Sequence, residues 1–279
     1  LSRPEYAERY SMCLPRTGHF TYRLNRKDYD IHSDVILLEN AGSYHTARHG
    51  DIVRDQCTIL QMNREGLEEF RDLYWTREWK PTSNSSPSGE AVFDRPAIRT
   101  TPWIDYLHMR VCAALLRRQT PAADTLAVET VLVELLSQVF RAMYDRTDSI
   151  PRVDLPVTSR AAHQETVEKA KEFIASHFHH PLQLSEISRH VAVSEFHFLR
   201  LFKGITRETP YSYLMQVRLG YALLLLRSTS CSVFDACFNS GFNNYTHFIT
   251  SFRKQFGLSP LKARSVCTSK LDMPASTHT

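Results

Sequence analysis

One pattern occurs twice near the C-terminal end of this 279-residue chain, over residues 184–203 and again over 232–254. Each copy is a short apolar-periodic helix, a tight turn, then a polar cap residue opening a second helix. The outward face of that second helix mixes polar and apolar side chains. Residues 211–227 between the copies read as one long helix, with Leu214, Val217, Tyr221, Leu224 and Leu225 expected on its buried side. Thr209 and Pro210 supply its N-cap and first turn. Helix, tight turn and helix at this spacing form the unit that sets its second helix into a DNA major groove. The doubling therefore commits this part of the chain to an all-helical domain and points to a duplex nucleic acid as its partner.

The remaining elements of that domain follow from its punctuation. A helix over 164–180 is stopped by Pro181. The first pair occupies 185–191 and 194–204. The second occupies 232–240 and 244–256 and is ended by Gly257 and then Pro260. Charge separates this region from the rest. Between Glu195 and Lys270 there are ten Lys/Arg against three Asp/Glu, whereas residues 1–150 are slightly acidic and the whole chain carries only +4. A basic part beside a near-neutral one suits a phosphate-contacting module joined to a module of another kind.

Length and patterning give an α+β chain of two domains: residues 1–150, a linker over 151–164 holding Pro151 and Pro156, the helical domain over 165–268, and a tail over 269–279. The six cysteines have no CxxC or zinc-type spacing, and Cys57 and Cys237 fall in apolar-periodic segments as small core residues. No run of about 18 apolar residues is present and no signal-peptide pattern opens the chain. A short N-terminal stretch is expected to be missing ahead of Leu1. The expected setting is a bacterial cytoplasm, with the chain associated with the nucleoid and not with a membrane.

In the N-terminal domain, Phe20, Tyr22 and Leu24 alternate with polar residues, 25–28 supply a turn, and 29–31 resume the strand. Residues 35–38, a turn over 40–42, Val53 and the run 57–62 continue the series, which suggests a sandwich or barrel. Residues 81–89, rich in Ser and Pro, read as a loop. Two amphipathic helices follow. One, over 103–118, carries Trp103, Leu107, Val111, Ala114 and Leu115 on one stripe; the other, over 125–144, carries Val128, Leu132, Leu135, Leu136 and Val139. They either cover the strands or pair with a second copy.

On the first candidate recognition helix, Phe198, Leu201 and Phe202 point inward and Phe196, Leu199, Arg200 and Lys203 outward. Arg200 is suited to guanine O6 and N7, and Phe196 and Leu199 to thymine methyl groups. On the second, Phe248, Phe252 and Phe256 point inward, Tyr245, Thr246, Ile249 and Thr250 outward, and His247 lies at the margin. This face has no mid-helix arginine, which favours weak readout or readout of shape. Lys203, Arg253, Lys254, Lys262 and Arg264 are placed for phosphates, contacts that position without specifying. The long helix spans roughly 25 Å, which puts the two reading helices about 34 Å apart, one turn of B-DNA.

These residues resemble the AraC/XylS-type transcription regulators over roughly residues 165–264. The likeness rests on the 184–203 unit, on Arg218, Ala222, Leu224 and Leu225, and on Gly241-Phe242. It continues through His247-Phe248, Phe252-Arg253, Phe256-Gly257 and Ser259-Pro260. The resemblance implies a seven-helix domain, sequence-specific promoter binding and, commonly, activation through RNA polymerase. By position it assigns base reading to Phe196, Leu199, Arg200, Tyr245, Thr246, Ile249 and Thr250. Gly220, Cys237 and Ala263 depart from the usual pattern at packing positions. The N-terminal half is similar to the cupin-like sensor barrels of that family, on the segment 29–38. By that analogy it would hold a small-molecule effector, and the two helices after it a homodimer contact.

The alternatives are chemical. A cupin metalloenzyme with an appended DNA-binding domain needs converging His and carboxylate ligands. His19, His32, His45 and His49 are present without a His-x-His and Glu at ligand spacing, while His177, His179 and His180 sit at a helix C-terminus, where capping is their ordinary role. Neither a nucleophile elbow nor a Gly-rich phosphate loop occurs. No enzyme activity, cofactor or metal is therefore expected. A nonspecific architectural DNA binder would lack the N-terminal domain.

Overall fold

The computed structural model describes residues 3–49, 55–77, 92–116, 122–144 and 157–268. It divides into two units, Leu1–Lys169 and Ala170–Thr279. The segments at 81–89 and 145–156, Val53 and the tail over 269–279 lie outside the described residues.

The first unit contains β1 (Glu5–Tyr6), β2 (Tyr10–Thr17), β3 (His19–Leu24), β4 (Lys27–His32), β5 (Val35–Glu39), β6 (Tyr44–His49) and β7 (Gln56–Met62). After these come α1 (Arg64–Arg77), β8 (Ala97–Arg99), α2 (Pro102–Leu116) and α3 (Ala122–Tyr144). Among the described residues the strands form two four-stranded antiparallel sheets, ordered β1-β6-β3-β4 and β7-β2-β5-β8. The barrel expected from the strand pattern is thus two sheets across one core. The chain changes sheet at Ser33-Asp34, between β4 and β5. Cys13, Phe20, Tyr22, Leu24, Ile31, Val35, Leu37 and Ala97, drawn from both sheets, make that core.

The β3–β4 hairpin shows local sequence setting register. Asn25 (φ 50°) and Arg26 (φ 63°) are both left-handed, so Leu24 pairs with Lys27 across a two-residue turn whose twist matches the strands. The turn is shorter than the expected 25–28, and Asp28 instead joins β4, facing Arg23. Val35 and Leu37 face the inter-sheet core, and Ile36 and Leu38 are buried too, so β5 is covered on both faces. α2 closes against β7, where His108 Nε2 lies 2.8 Å from Thr58 Oγ1. Burial pushes that imidazole down to about 4, which leaves it neutral at ordinary pH.

Five elements of this unit have no counterpart in the expected series: β1, β2, β6, α1 and β8. β2 lies centrally in its sheet although it contains Pro15. The register shifts between Pro15 and Thr17, so the residue without an N–H sits at a bulge. Of the expected helical stripes, Trp103, Leu107, Val111, Leu135 and Val139 are buried, whereas Leu115 is exposed.

The helical part begins with α4 (Val157–His177), which starts inside the segment expected to be linker and ends ahead of the expected His180. After Pro156 no residue before Pro181 breaks a helix, and charged side chains at an exposed face do not oppose one. Then come α5 (Leu184–His190), α6 (Glu195–Thr206), α7 (Pro210–Ser228), α8 (Val233–Asn239), α9 (Tyr245–Phe256) and α10 (Pro260–Thr268). α7 packs against α6, α8, α9 and α10. It is consequently buried round more of its circumference than one stripe: Leu219, Ala222, Leu223 and Leu226 are buried with Leu214 and Val217, and Tyr221, Leu224 and Leu225 only in part. Cys237 and Ala263 lie in the core shared by α7–α10.

Candidate nucleic-acid interface

Two helix pairs, α5–α6 and α8–α9, carry the candidate residues. In the first turn, Ala192 N–H donates to Arg189 O and Val193 N–H to Ser188 O. In the second, Gly241 N–H donates to Phe238 O and Phe242 N–H to Cys237 O. The crossed bonds are those of a Schellman ending, with Ala192 (φ 56°) and Gly241 (φ 84°) in the left-handed position. The following helix is capped alike: Ser194 Oγ accepts from His197 N–H and Asn244 Oδ1 from His247 N–H. Each second helix ends left-handed, at Arg207 (φ 67°) and Gly257 (φ 72°). α8 also has a reciprocal cap, in which Asp235 N–H donates to Ser232 Oγ and Ser232 N–H to Asp235 Oδ2.

The inner stripes anchor these helices. Phe198 and Phe202 on α6 are fully buried, and Phe202 meets Tyr213 of α7 edge-on at 5.5 Å. Phe248 and Phe252 on α9 are fully buried, with Phe256 half-buried beside them. Leu201 is half-buried as well. The turn of the second pair is backed by residues 178–180, which α7 in turn holds. Arg218 Nε donates to Phe178 O and its Nη2 to His180 O, each at 2.8 Å, and His179 Nδ1 lies 2.8 Å from Asn239 O. A Cβ on Gly241 would stand 2.4 Å from Phe178 O and 3.0 Å from Arg218 Nε, so no side chain fits there.

With the inner stripes committed, the outer residues stand as follows. On α6, Phe196 is 78% exposed, and Leu199, Arg200 and Lys203 are exposed. On α9, Tyr245, Thr246, His247, Thr250, Arg253 and Lys254 are exposed. Ile249 differs from expectation: it is half-buried and packs against the α7–α10 core, because α9 buries a face wider than its phenylalanine stripe. Arg264, on α10, is half-buried. The structure adds two residues that the sequence reading passed over. Phe234 and Phe238 on α8 are exposed, their rings 4.5 Å apart, and Phe234 lies 5.9 Å from Tyr245. The signal was available: with Ala236 and Cys237 inward, positions 234 and 238 share the opposite face.

The histidines of the first unit pair with carboxylates instead of converging. His19 bonds Asp30, His49 Nδ1 lies 2.6 Å from Asp55 Oδ2, and His45 Nδ1 lies 2.5 Å from Glu39 Oε1, which also accepts from Tyr22. Among the described residues no group of three His, Cys, Asp or Glu side chains is arranged to hold a metal ion. No helix among them is long and apolar enough to cross a membrane.

Residues 187–265 match the family described as "Helix-turn-helix domain". The chain is 34% identical over 85 residues to the HTH-type transcriptional regulator ArgR of Pseudomonas aeruginosa, a match covering 30% of this chain and 26% of that protein. It is 23% identical over 255 residues to the virulence regulon transcriptional activator VirF of Yersinia enterocolitica, covering 88% of this chain and 86% of that one. A solved AraC-type transcriptional regulator from Chromobacterium violaceum is 28% identical, covering 41% of this chain and 99% of that chain, with a TM-score of 0.36. The helical unit thus carries a helix-turn-helix domain. The match spans about a quarter of the ArgR regulator's length.

Proposed function

We propose that the chain is a sequence-specific DNA-binding transcription regulator, with α5–α6 and α8–α9 as two helix-turn-helix units. The observation that carries this is the division of α6 and α9: each spends its aromatic stripe on the core and leaves an outer face of mixed chemistry uncovered. Between them α7, 19 residues long, provides a spacer of about 28 Å. That length supports entry of both helices into successive major grooves from one chain. Phe196, Leu199 and Arg200 read bases from α6, and Tyr245, Thr246, Thr250 and the flank of Ile249 from α9. Lys203, Arg253, Lys254 and Arg264 contact phosphates.

The N-terminal sheets form a cupin-like effector-sensing domain on this reading, and activation proceeds through RNA polymerase, with α2 and α3 as a homodimer contact. The setting is a bacterial cytoplasm. An effector acts only if it binds one arrangement of the chain more tightly than another. The test is selection of bound duplexes from a random pool, followed by titration of the selected and a scrambled duplex at several salt concentrations. A selected sequence preferred by at least about a thousandfold supports the reading. Equal binding, with the same salt slope on both, makes the chain a nonspecific binder.

A further inference from the structure

The outer face of α9 differs in chemistry from that of α6, and the difference names what it recognises. Within α9 no lysine or arginine precedes Arg253, no aspartate or glutamate is present, and the one amide, Gln255, lies near the C-terminal end. Within the helix, the face that leads into a groove therefore has no arginine or lysine for guanine, no carboxylate for the cytosine amino group and no amide for adenine. The oxygen of the cap amide is already engaged: Asn244 Oδ1 accepts from His247 N–H. His247 lies 3.4 Å, ring to hydroxyl, from Ser251 within the helix.

What remains outward combines methyl, hydroxyl, imidazole and aromatic groups, from Tyr245, Thr246, His247 and Thr250. Thr250 Oγ1 donates to Thr246 O at 3.0 Å, which consumes its hydroxyl proton and leaves a methyl group as its distinguishing outward feature. Tyr245 is 40% exposed and stands between two rings, the fully buried Phe248 at 6.5 Å and Phe234 at 5.9 Å. Phe234 is in turn backed by Phe238. This ledge of exposed aromatic rings beside the reading helix is flanked on the same helix by the exposed cations Arg253 and Lys254, which suit a polyanion as its occupant.

Resting on the DNA-binding reading above, we infer that α9 is a reader of thymine C5-methyl groups through Tyr245 and Thr250, with Phe234 as a positioning residue that fixes the Tyr245 ring. The operator is then chemically asymmetric: a half under α6 that needs a guanine, set by Arg200, and a half under α9 that depends on thymine without guanine. A ring held in place before binding loses less rotamer freedom on contact, so the contribution of Phe234 is to preference and not to the fold.

The experiment uses the full chain and its selected duplex. Thymines are replaced singly by deoxyuridine, which removes only the methyl group, and guanines by 7-deazaguanine, which removes N7. Deoxyuridine in the α9 half is expected to weaken binding about fourfold at each contacted position, and 7-deazaguanine there to have no effect. In the α6 half 7-deazaguanine weakens binding about tenfold, and that loss disappears in Arg200→Ala. Phe234→Ala loses the thymine-over-uracil preference at the position read by Tyr245, keeps it at the position read by Thr250, and has an unchanged melting temperature; Phe234→Tyr keeps both. A silent deoxyuridine scan under α9, or sensitivity to 7-deazaguanine there, overturns the inference while leaving specific binding intact. Equal loss by Phe234→Ala on both duplexes overturns the positioning role. Failure to select any sequence instead defeats the functional reading on which the inference rests.

Discussion

The pairs α5–α6 and α8–α9 solve one backbone problem with different residues. Both turn through crossed Schellman bonds, both open their second helix with an oxygen cap, and both close it left-handed. The first pair uses Ala192 and Arg207 at the two left-handed positions, where the second uses Gly241 and Gly257. The second turn is also one residue longer, Asn243 standing between Phe242 and the cap. The lesson is that a left-handed residue demands glycine only where something else occupies the space of its Cβ. Around Gly257 nothing lies within 4 Å, whereas Gly241 faces the carbonyl of Phe178. The two glycines share a conformation and differ in consequence.

The largest effect that tests this contrast is Gly241→Ala. Its Cβ would meet a main-chain oxygen at 2.4 Å, so backbone must shift, and a loss of about 3 kcal/mol or more is expected by denaturant titration. Ala192→Gly at the equivalent position is expected to stay within about 1 kcal/mol of the parent. If both changes cost the same, crowding by Phe178 is not what sets Gly241 apart.

Arg200→Ala probes the outward difference. It should remove about 1–3 kcal/mol of discrimination at one guanine, while Thr250→Ala leaves that position untouched. Repeating the selection with each variant exposes any exchange of roles. A smaller pair acts on the helix ends. Arg207→Gly is expected to raise stability by about 1 kcal/mol by relieving a left-handed non-glycine, and Gly257→Ala to lower it by about the same. Thermal melts should move in opposite directions; movement in one direction would mean that local sterics do not govern these caps. Ser194→Ala and Asn244→Ala should be nearly indistinguishable, each losing somewhat under 1 kcal/mol because both caps are exposed.

The helical domain was largely legible in the sequence because its signals are local. Thr209-Pro210, Ser232, Asn244 and Gly257 mark ends by hydrogen-bond chemistry confined to a few residues, and the phenylalanines at 248 and 252 mark a face. What escaped depends on partners distant in the chain. Ile249 is outward by helical angle, yet the α7–α10 core reaches round to it. Leu219 and Leu223 are buried because α7 is packed against several helices, which no single stripe reveals. In the sheets, Pro15 argues against a central strand until its bulge against β7 is seen, and the largely polar β6 is a strand only because β1 and β3 lie on either side of it. The aromatic ledge on α8 was visible in spacing alone, but its meaning came from the ring of Tyr245 beside it.

Arg218 grips two main-chain oxygens, those of Phe178 and His180. A rivet of that kind is indifferent to the side chain borne by the residue it fastens, so His180 has latitude to drift. Its own identity has none: a lysine ammonium lacks the planar fork that spans two acceptors at once. Natural variation through this joint should therefore fall on one partner and spare the other.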